Sequence, residues 1–434
     1  MKILFKNFRI FNGFEFVKEK CLSVENGKVS EIADNISGDF DEVYEGNGDK
    51  ILSPGLIDIH AHFREPGGEW HEDLNSGARA GAAGGFTTMV AMPNTSPAIS
   101  EAALVEYIIT HAEAAHSSRI LPSGCVSKDR AGVEMAELYK MSEAGAVFFT
   151  DDGNPVATSN LLRLALLYTG KTLPRIMEHP EDKSLFIGGQ VHEGKVSALS
   201  GLKGIPAASE EIDIARGIAL TKETDGRMHF THISSKGSVK LVREAKAEGI
   251  DVTCDTTFHH LTLNENAVIN SGYSSVLKVN PPLRTPDDQD SMWKGLVDGT
   301  IDAIITDHAP YHMDNKDVPF QDAPFGIASL ECAAAAVLDY RAKHYPEVPV
   351  ETVLNKMTAG PAALLPEKWQ GLGKLSEGSI ADITIIDEKR TRVVNCNEWN
   401  SKARCTPWNG QALTSWPVMT FVEGKKVWED TGEF

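Results

Sequence analysis

The chain is short of cysteine in any useful pattern. Its six cysteines, Cys21, Cys125, Cys254, Cys332, Cys396 and Cys405, include no C-x-x-C pair. That argues against a disulfide framework and for reduced thiols. Positive charge is also scarce: 42 Lys and Arg face 61 Asp and Glu, a net charge of −19. An acidic surface is a poor partner for nucleic acid or an anionic membrane, although a local basic pocket for a small anion remains open. No apolar run is long enough to span a bilayer. The first nine residues, Met1-Lys-Ile-Leu-Phe-Lys-Asn-Phe-Arg9, interrupt their apolar positions with charge, unlike a signal peptide. Internal repeats and low-complexity tracts are lacking as well. The expectation is a soluble cytoplasmic protein, whose 41% hydrophobic content provides an ample core.

What is there divides into three parts. Residues Ile3–Ile10, Cys21–Val24 and Lys28–Ile32 read as short strands separated by the turn signals Asn12-Gly13 and Asn26-Gly27. The far end is similar: Ala381–Ile386 and Val418–Val422 are β-rich, with a tight turn at Glu423-Gly-Lys-Lys426. Between them, apolar runs recur at Leu56–His62, Phe86–Met92, Arg119–Val126, Ala146–Thr150, Pro174–Glu178, Met228–Thr231, Asp251–Cys254 and Asp302–Thr306. Helix-like segments separate most of them, among them Ala102–Ala115, Asn160–Thr169, Ser209–Glu223 and Ser238–Gly249. This alternation predicts an α/β fold: a (β/α)8 TIM barrel over residues 53–365, with a small β-sandwich built from residues 1–52 and 366–434. The polar stretch His308–Gly326 is a candidate substrate loop.

In such a barrel the chemistry sits at the C-terminal strand ends. The first strand ends in Asp58-Ile-His60-Ala-His62-Phe-Arg64. Strand side chains alternate, so His60 and His62 share a face with Asp58 and Arg64 beside them. The fourth ends in Thr150-Asp151-Asp152-Gly153, the fifth in Glu178-His179, the sixth in Thr231-His232 and the eighth in Thr306-Asp307-His308. Each alone reads most simply as a turn, a cap or a hydrogen-bonded loop residue. Together, at five of eight predicted ends in a chain with 14 histidines, they point to a metal centre. Four histidines and two aspartates could hold two cations that share a hydroxide, suited to hydrolysing an amide-like carbonyl or to the reverse.

These motifs resemble the amidohydrolase superfamily and, within it, the dihydroorotases. The resemblance runs through Asp58–Gly67, Met92-Pro-Asn94-Thr, Phe149–Gly153, Met177-Glu-His179, Phe230–Gly237, Asn280-Pro-Pro-Leu-Arg284, Thr306–Pro310, Gly378–Ile386 and Ser401–Trp408. It implies a zinc-dependent cyclic amide hydrolase of de novo pyrimidine (UMP) biosynthesis. N-carbamoyl-L-aspartate would close reversibly to (S)-dihydroorotate and water through a zinc-bound hydroxide. By this resemblance His60 and His62 bind one Zn2+, His179 and His232 a second, and a fourth-strand residue bridges them, with two ions per subunit favoured over one. Asp307 serves as metal ligand and as general acid/base. Arg64 and Asn94 hold the substrate carboxylate, and Asn280 meets the ring. The resemblance further implies a homodimer and allows aspartate transcarbamoylase as a partner.

Two positions depart from the family pattern. Many relatives carry a carbamylated lysine on the fourth strand. Here Ala146-Val-Phe-Phe-Thr-Asp-Asp152 has none, and the ligand is assigned to Asp152 rather than Asp151. After Pro310 the usual histidine is replaced by Tyr311, followed by His312, and one of the two is expected to contact the carboxylate. The rival readings are a dihydropyrimidinase, hydantoinase or allantoinase, and an inactive homologue that acts as a scaffold. Arg64 with Asn94 favours a ring that carries a carboxylate, and the full set of histidines argues against the scaffold.

Overall fold

The fold is described by a computed structural model for residues 1–432. Its centre is a ring of eight parallel staves. Seven are strands: Leu56–Ala61, Phe86–Ala91, Arg119–Pro122, Ile176–Glu178, Met228–Phe230, Val252–Thr257 and Ala303–Ile305. Parallel ladders join the first three to one another and the last four to one another. The fourth stave, expected as the strand Ala146–Thr150, pairs only through single bridges from Phe149 to Gly124 and to Ile176. Its backbone is still engaged on both sides: Val147 N–H donates to Pro122 O (2.9 Å) and Phe149 N–H to Arg175 O (3.1 Å). The ring closes where Ala61 bridges His308, and His62 N–H donates to His308 O at 2.8 Å. This is the (β/α)8 barrel that the alternating sequence implies.

The four helices read from sequence appear as Ala102–Glu113, Ser159–Thr169, Ala207–Thr224 and Lys236–Ala247. Local chemistry sets their starts. Thr158 accepts from Leu161 N–H, and Ser235 accepts from Ser238 N–H. Pro286–Val297 begins with Thr285 and Asp288 capping each other around a proline in the first turn.

Two sheets form from the chain ends. One runs 28–33, 21–25, 2–6, 42–45; the other runs 425–429, 412–422, 383–393, 51–54, 9–10. Asn26 and Gly27 both have positive φ (52° and 78°), as do Glu423 and Gly424 (50° and 71°), which suits the two-residue hairpin turns at both places. The strand Ile51–Pro54 pairs with Ile383–Ile386, so the second sheet meets the barrel directly at the first stave.

Candidate metal centre

The first stave is held in place by Asp58, which is completely buried. One of its oxygens accepts from Thr306 N–H (3.1 Å) and His60 N–H (3.2 Å), and the other accepts from the Thr306 hydroxyl. Burial pushes this carboxyl up to about 7. The first and eighth staves are thereby locked in register, bringing His60, His62 and Asp307 together.

Six predicted ligands converge. Asp307 Oδ1 lies 3.2 Å from His62 Nε2 and 3.6 Å from His60 Nε2. Asp152 Oδ1 lies 3.4 Å from His60 Nε2, 3.6 Å from His179 Nδ1 and 3.6 Å from His232 Nε2. Its Oδ2 is 3.5 Å from His62 Nε2. His179 Nδ1 and His232 Nε2 are 2.9 Å apart. Asp151, the alternative on the fourth stave, faces elsewhere. It accepts from the Val126 and Ser127 amides, both at 3.0 Å, and from the Ser127 hydroxyl. Its carboxylate therefore fixes the third and fourth loops.

The cluster fits a divalent cation on its own geometry. His60 Nε2 and Asp152 Oδ1 are buried without a hydrogen-bond partner, an expensive arrangement for polar atoms unless something binds there. Two overlapping sets, His60–Asp152–His232 and His60–His62–Asp307, place their donor atoms within 4.8 Å of one another. Imidazole nitrogen and carboxylate oxygen are suitable ligands. Charge agrees. Burial alone would raise the Asp152 carboxyl, yet His60, His179 and His232 hold it well below the usual range. Against the opposing effect of burial, the nearby carboxylates push His60 up to about 9 and His179 up to about 10. His62 moves down, because burial, helped by Arg64, outweighs its contact with Asp307. Arg64, His232 and Asp307 all have positive φ (61°, 42° and 43°), backbone strain of the kind that concentrates at functional sites.

The predicted substrate residues are placed unequally. Arg64 donates through Nε to Pro310 O (3.2 Å), which leaves its terminal nitrogens available, and its guanidinium lies 4.7 Å over the Tyr311 ring. Asn94 sits beside the cluster, with Oδ1 2.9 Å from His62 Nδ1 and Nδ2 3.4 Å from Asp152 Oδ2. Asn280 donates to Glu181 Oε2 at 2.7 Å and lies 3.4 Å from His179 Nε2. His312 caps the short helix Met313–Lys316, accepting from Asp314 N–H at 3.3 Å. Between the two candidates after Pro310, it is Tyr311 that packs on Arg64. The loop carrying them is tied down by Lys316, which donates to Pro324 O (2.7 Å), and by Lys278, which donates to Gln321 O (3.0 Å).

Sequence reasoning missed Glu181, Thr231 and Asp255. Thr231 and Asp255 lie behind His60, and Asp255 belongs to a seventh stave that runs to Thr257, beyond the apolar residues that signalled it. His259, just past that stave, is buried with neither ring nitrogen hydrogen-bonded.

Comparison with known proteins places the chain in a family. A dihydro-orotase-like family model matches residues 49–238. The dihydroorotase of Pelotomaculum thermopropionicum is 42% identical over 416 residues, 95% of either chain. That of Geobacter metallireducens is 40% identical over 433 residues, 99% of this chain and all of the relative. Among solved structures, L-hydantoinase from Arthrobacter aurescens superposes with a TM-score of 0.86 at 24% identity, covering 98% of this chain and 96% of that one. Dihydropyrimidinase from Brevibacillus agri gives 0.83 at 19% identity, covering 99% and 95%. At such identities the structural likeness is one of fold.

Proposed function

The chain belongs to the dihydroorotase family, and on that premise we propose how its buried cluster carries out the reaction. The function is that of a dihydroorotase in pyrimidine biosynthesis, a cyclic amide hydrolysis and its reverse. The catalytic unit is the barrel of residues 53–365, and residues 1–52 with 366–434 form the sandwich that supports it. The metal is Zn2+, two ions per subunit, held by His60, His62, Asp152, His179, His232 and Asp307. When bound, it polarises the amide carbonyl and lowers the pKa of water.

The chain's own groups do the rest. In the biosynthetic direction the terminal carbamoyl nitrogen of N-carbamoyl-L-aspartate bonds to the side-chain carboxyl carbon. A C–O bond of that carboxylate breaks, and its oxygen leaves as water with one proton from the attacking nitrogen and a second from solvent. Asp307 takes the proton released by that nitrogen and delivers it to the departing oxygen. In hydrolysis it runs the proton the other way. Its carboxyl lies well below the usual range, held there by His62, His60 and His232 against burial, so it starts as the acceptor. Arg64 presents its free terminal nitrogens to the substrate α-carboxylate, a bidentate match. Tyr311 supports that guanidinium, Asn94 supplies a further amide N–H, and Asn280 faces the ring. His312 is the alternative carboxylate contact should the loop rearrange. The same reading carries a cytoplasmic homodimer and allows aspartate transcarbamoylase as a partner.

The observation that carries the proposal is the pair of buried, unpartnered atoms His60 Nε2 and Asp152 Oδ1 facing each other at 3.4 Å. The test is turnover by zinc-loaded protein of dihydroorotate, dihydrouracil, hydantoin and allantoin. Dihydroorotate is expected to be strongly preferred. Preference for any of the other three overturns the reading.

A further inference from the structure

The seventh stave sends no ligand into the centre, yet it carries a buried carboxylate just behind it. Asp255 is completely buried, as are Thr231, His60 and His229 around it. Asp255 Oδ2 lies 2.8 Å from His229 Nε2. Both Asp255 oxygens lie 3.2 Å from Thr231 Oγ1, and Oδ1 also accepts the His232 backbone N–H. Thr231 Oγ1 in turn lies 2.7 Å from His60 Nδ1. The chain of contacts is therefore His229, Asp255, Thr231, His60.

Hydrogen-bond direction along that chain is determined. A carboxylate only accepts. The Thr231 hydroxyl must spend its single proton on Asp255, so its oxygen can only accept from His60. His60 Nδ1 is then the protonated nitrogen. The remaining nitrogen, Nε2, is the one left to give a lone pair to a cation in exchange for its proton, and it lies without a hydrogen-bond partner 3.4 Å from Asp152 and 3.6 Å from Asp307. The same carboxylate holds the amide of His232, a residue at positive φ (42°) that needs an external restraint. One group on a stave without ligands thus restrains a histidine on each side of the centre.

We propose that Asp255, acting through Thr231, is a positioning residue for metal binding: it fixes His60 in the tautomer that ligates through Nε2 and secures the backbone of His232. This deepens the functional reading above and rests on its metal centre. Hydrogen-bond partners behind metal-binding histidines typically govern affinity by 10–100-fold.

The test measures zinc dissociation constants of the full chain by competition with a chromophoric chelator, together with the melting temperature of the metal-free protein. Thr231→Val keeps the shape and removes the hydroxyl, and is expected to weaken the tighter zinc about 10–100-fold. Thr231→Ser restores the hydroxyl and is expected to stay within about threefold of wild type. Asp255→Asn keeps the volume, replaces one acceptor with a donor, and serves if the valine variant does not fold. Unchanged affinity in the valine and asparagine variants overturns the inference, and so does a lowered melting temperature with wild-type affinity, which marks a purely structural network. A wild type that takes up no zinc overturns it together with the metal reading. Failure of the functional reading shows separately, as normal zinc uptake without dihydroorotate turnover.

Discussion

The two halves of the histidine cluster are supported differently. On the first stave each imidazole has its rear nitrogen occupied: His60 Nδ1 lies 2.7 Å from Thr231 Oγ1 and His62 Nδ1 lies 2.9 Å from Asn94 Oδ1. On the fifth and sixth staves the support is thinner. His179 Nε2 lies 3.4 Å from Asn280 Nδ2 and 3.7 Å from Glu181 Oε2, and His232 Nδ1 has no partner at all. Rings already fixed in rotation and tautomer need no reorganisation when a cation binds. The first half is therefore the better preorganised for a cation, and the second the less. Asp152 belongs to both and couples them.

Catalysis gives the largest effect with which to break this comparison. Asp307 lies closest to the first-stave histidines, 3.2 Å from His62 and 3.6 Å from His60. Asp307→Asn should keep the fold, by circular dichroism and melting, and lose roughly 10²–10⁴ in kcat for dihydroorotate. A near wild-type rate would take the chemistry away from that half. Metal retention comes next. His60→Ala should weaken the tightest zinc by roughly 100-fold or more, whereas His232→Ala should leave that class of site within about tenfold of wild type. Equal losses in the two variants, read by chelator competition, would erase the asymmetry. Arg64→Ala should then raise KM by about 2–3 kcal/mol in binding, the loss of a charge-assisted contact, with zinc content unchanged. A KM and kcat both at wild-type values would remove Arg64 from the site.

The smallest effect concerns a carboxylate outside the cluster. Asp152 is buried among imidazoles and held down, whereas Glu331 is buried beside Ser401 and Asn400 and pushed up to about 7, chiefly by desolvation. A carboxyl whose folded pKa exceeds its unfolded value binds its proton more tightly when folded. Glu331 therefore costs stability above about pH 7, and that cost disappears as pH falls toward its ordinary value of 4.5. Glu331→Gln, with the Asn400 amide free to turn over, should melt roughly 2–4 °C above wild type at pH 8 and level with it at pH 5. A constant gap across that range would show that ionisation is not the cause.

Much of the centre could be read from the chain because strand periodicity and ligand chemistry coincide at the strand ends. His60 and His62 stand two apart on one stave, and His179, His232 and Asp307 each directly follow an apolar run. What could not be read depends on contacts made across the barrel. Asp151 and Asp152 are chemically alike, and only the amides of Val126 and Ser127 decide which of them turns inward. Asp255 directly follows the run Asp251–Cys254, and the sequence does not signal that its stave continues to Thr257. His312 is a candidate substrate contact from the sequence, and the fold adds a second role that the sequence does not signal, the cap on Met313–Lys316. The sandwich was legible at Asn26-Gly27 and Glu423-Gly424, where turn geometry requires those residue types.

The pairing of Ile51–Pro54 with Ile383–Ile386 sets a schedule for biosynthesis. The strand that leads through Gly55 into His60 and His62 has Arg9–Ile10 on one edge from the start, but gains its neighbour on the other edge only after more than three hundred further residues have left the ribosome. Until then that second edge is open, and the stave carrying the first two candidate ligands is braced on one side alone. The earliest part of the centre to be translated is thus among the last to be fully secured, and a nascent chain stalled before Ile383 would carry all six candidate ligands while lacking half of the brace behind two of them.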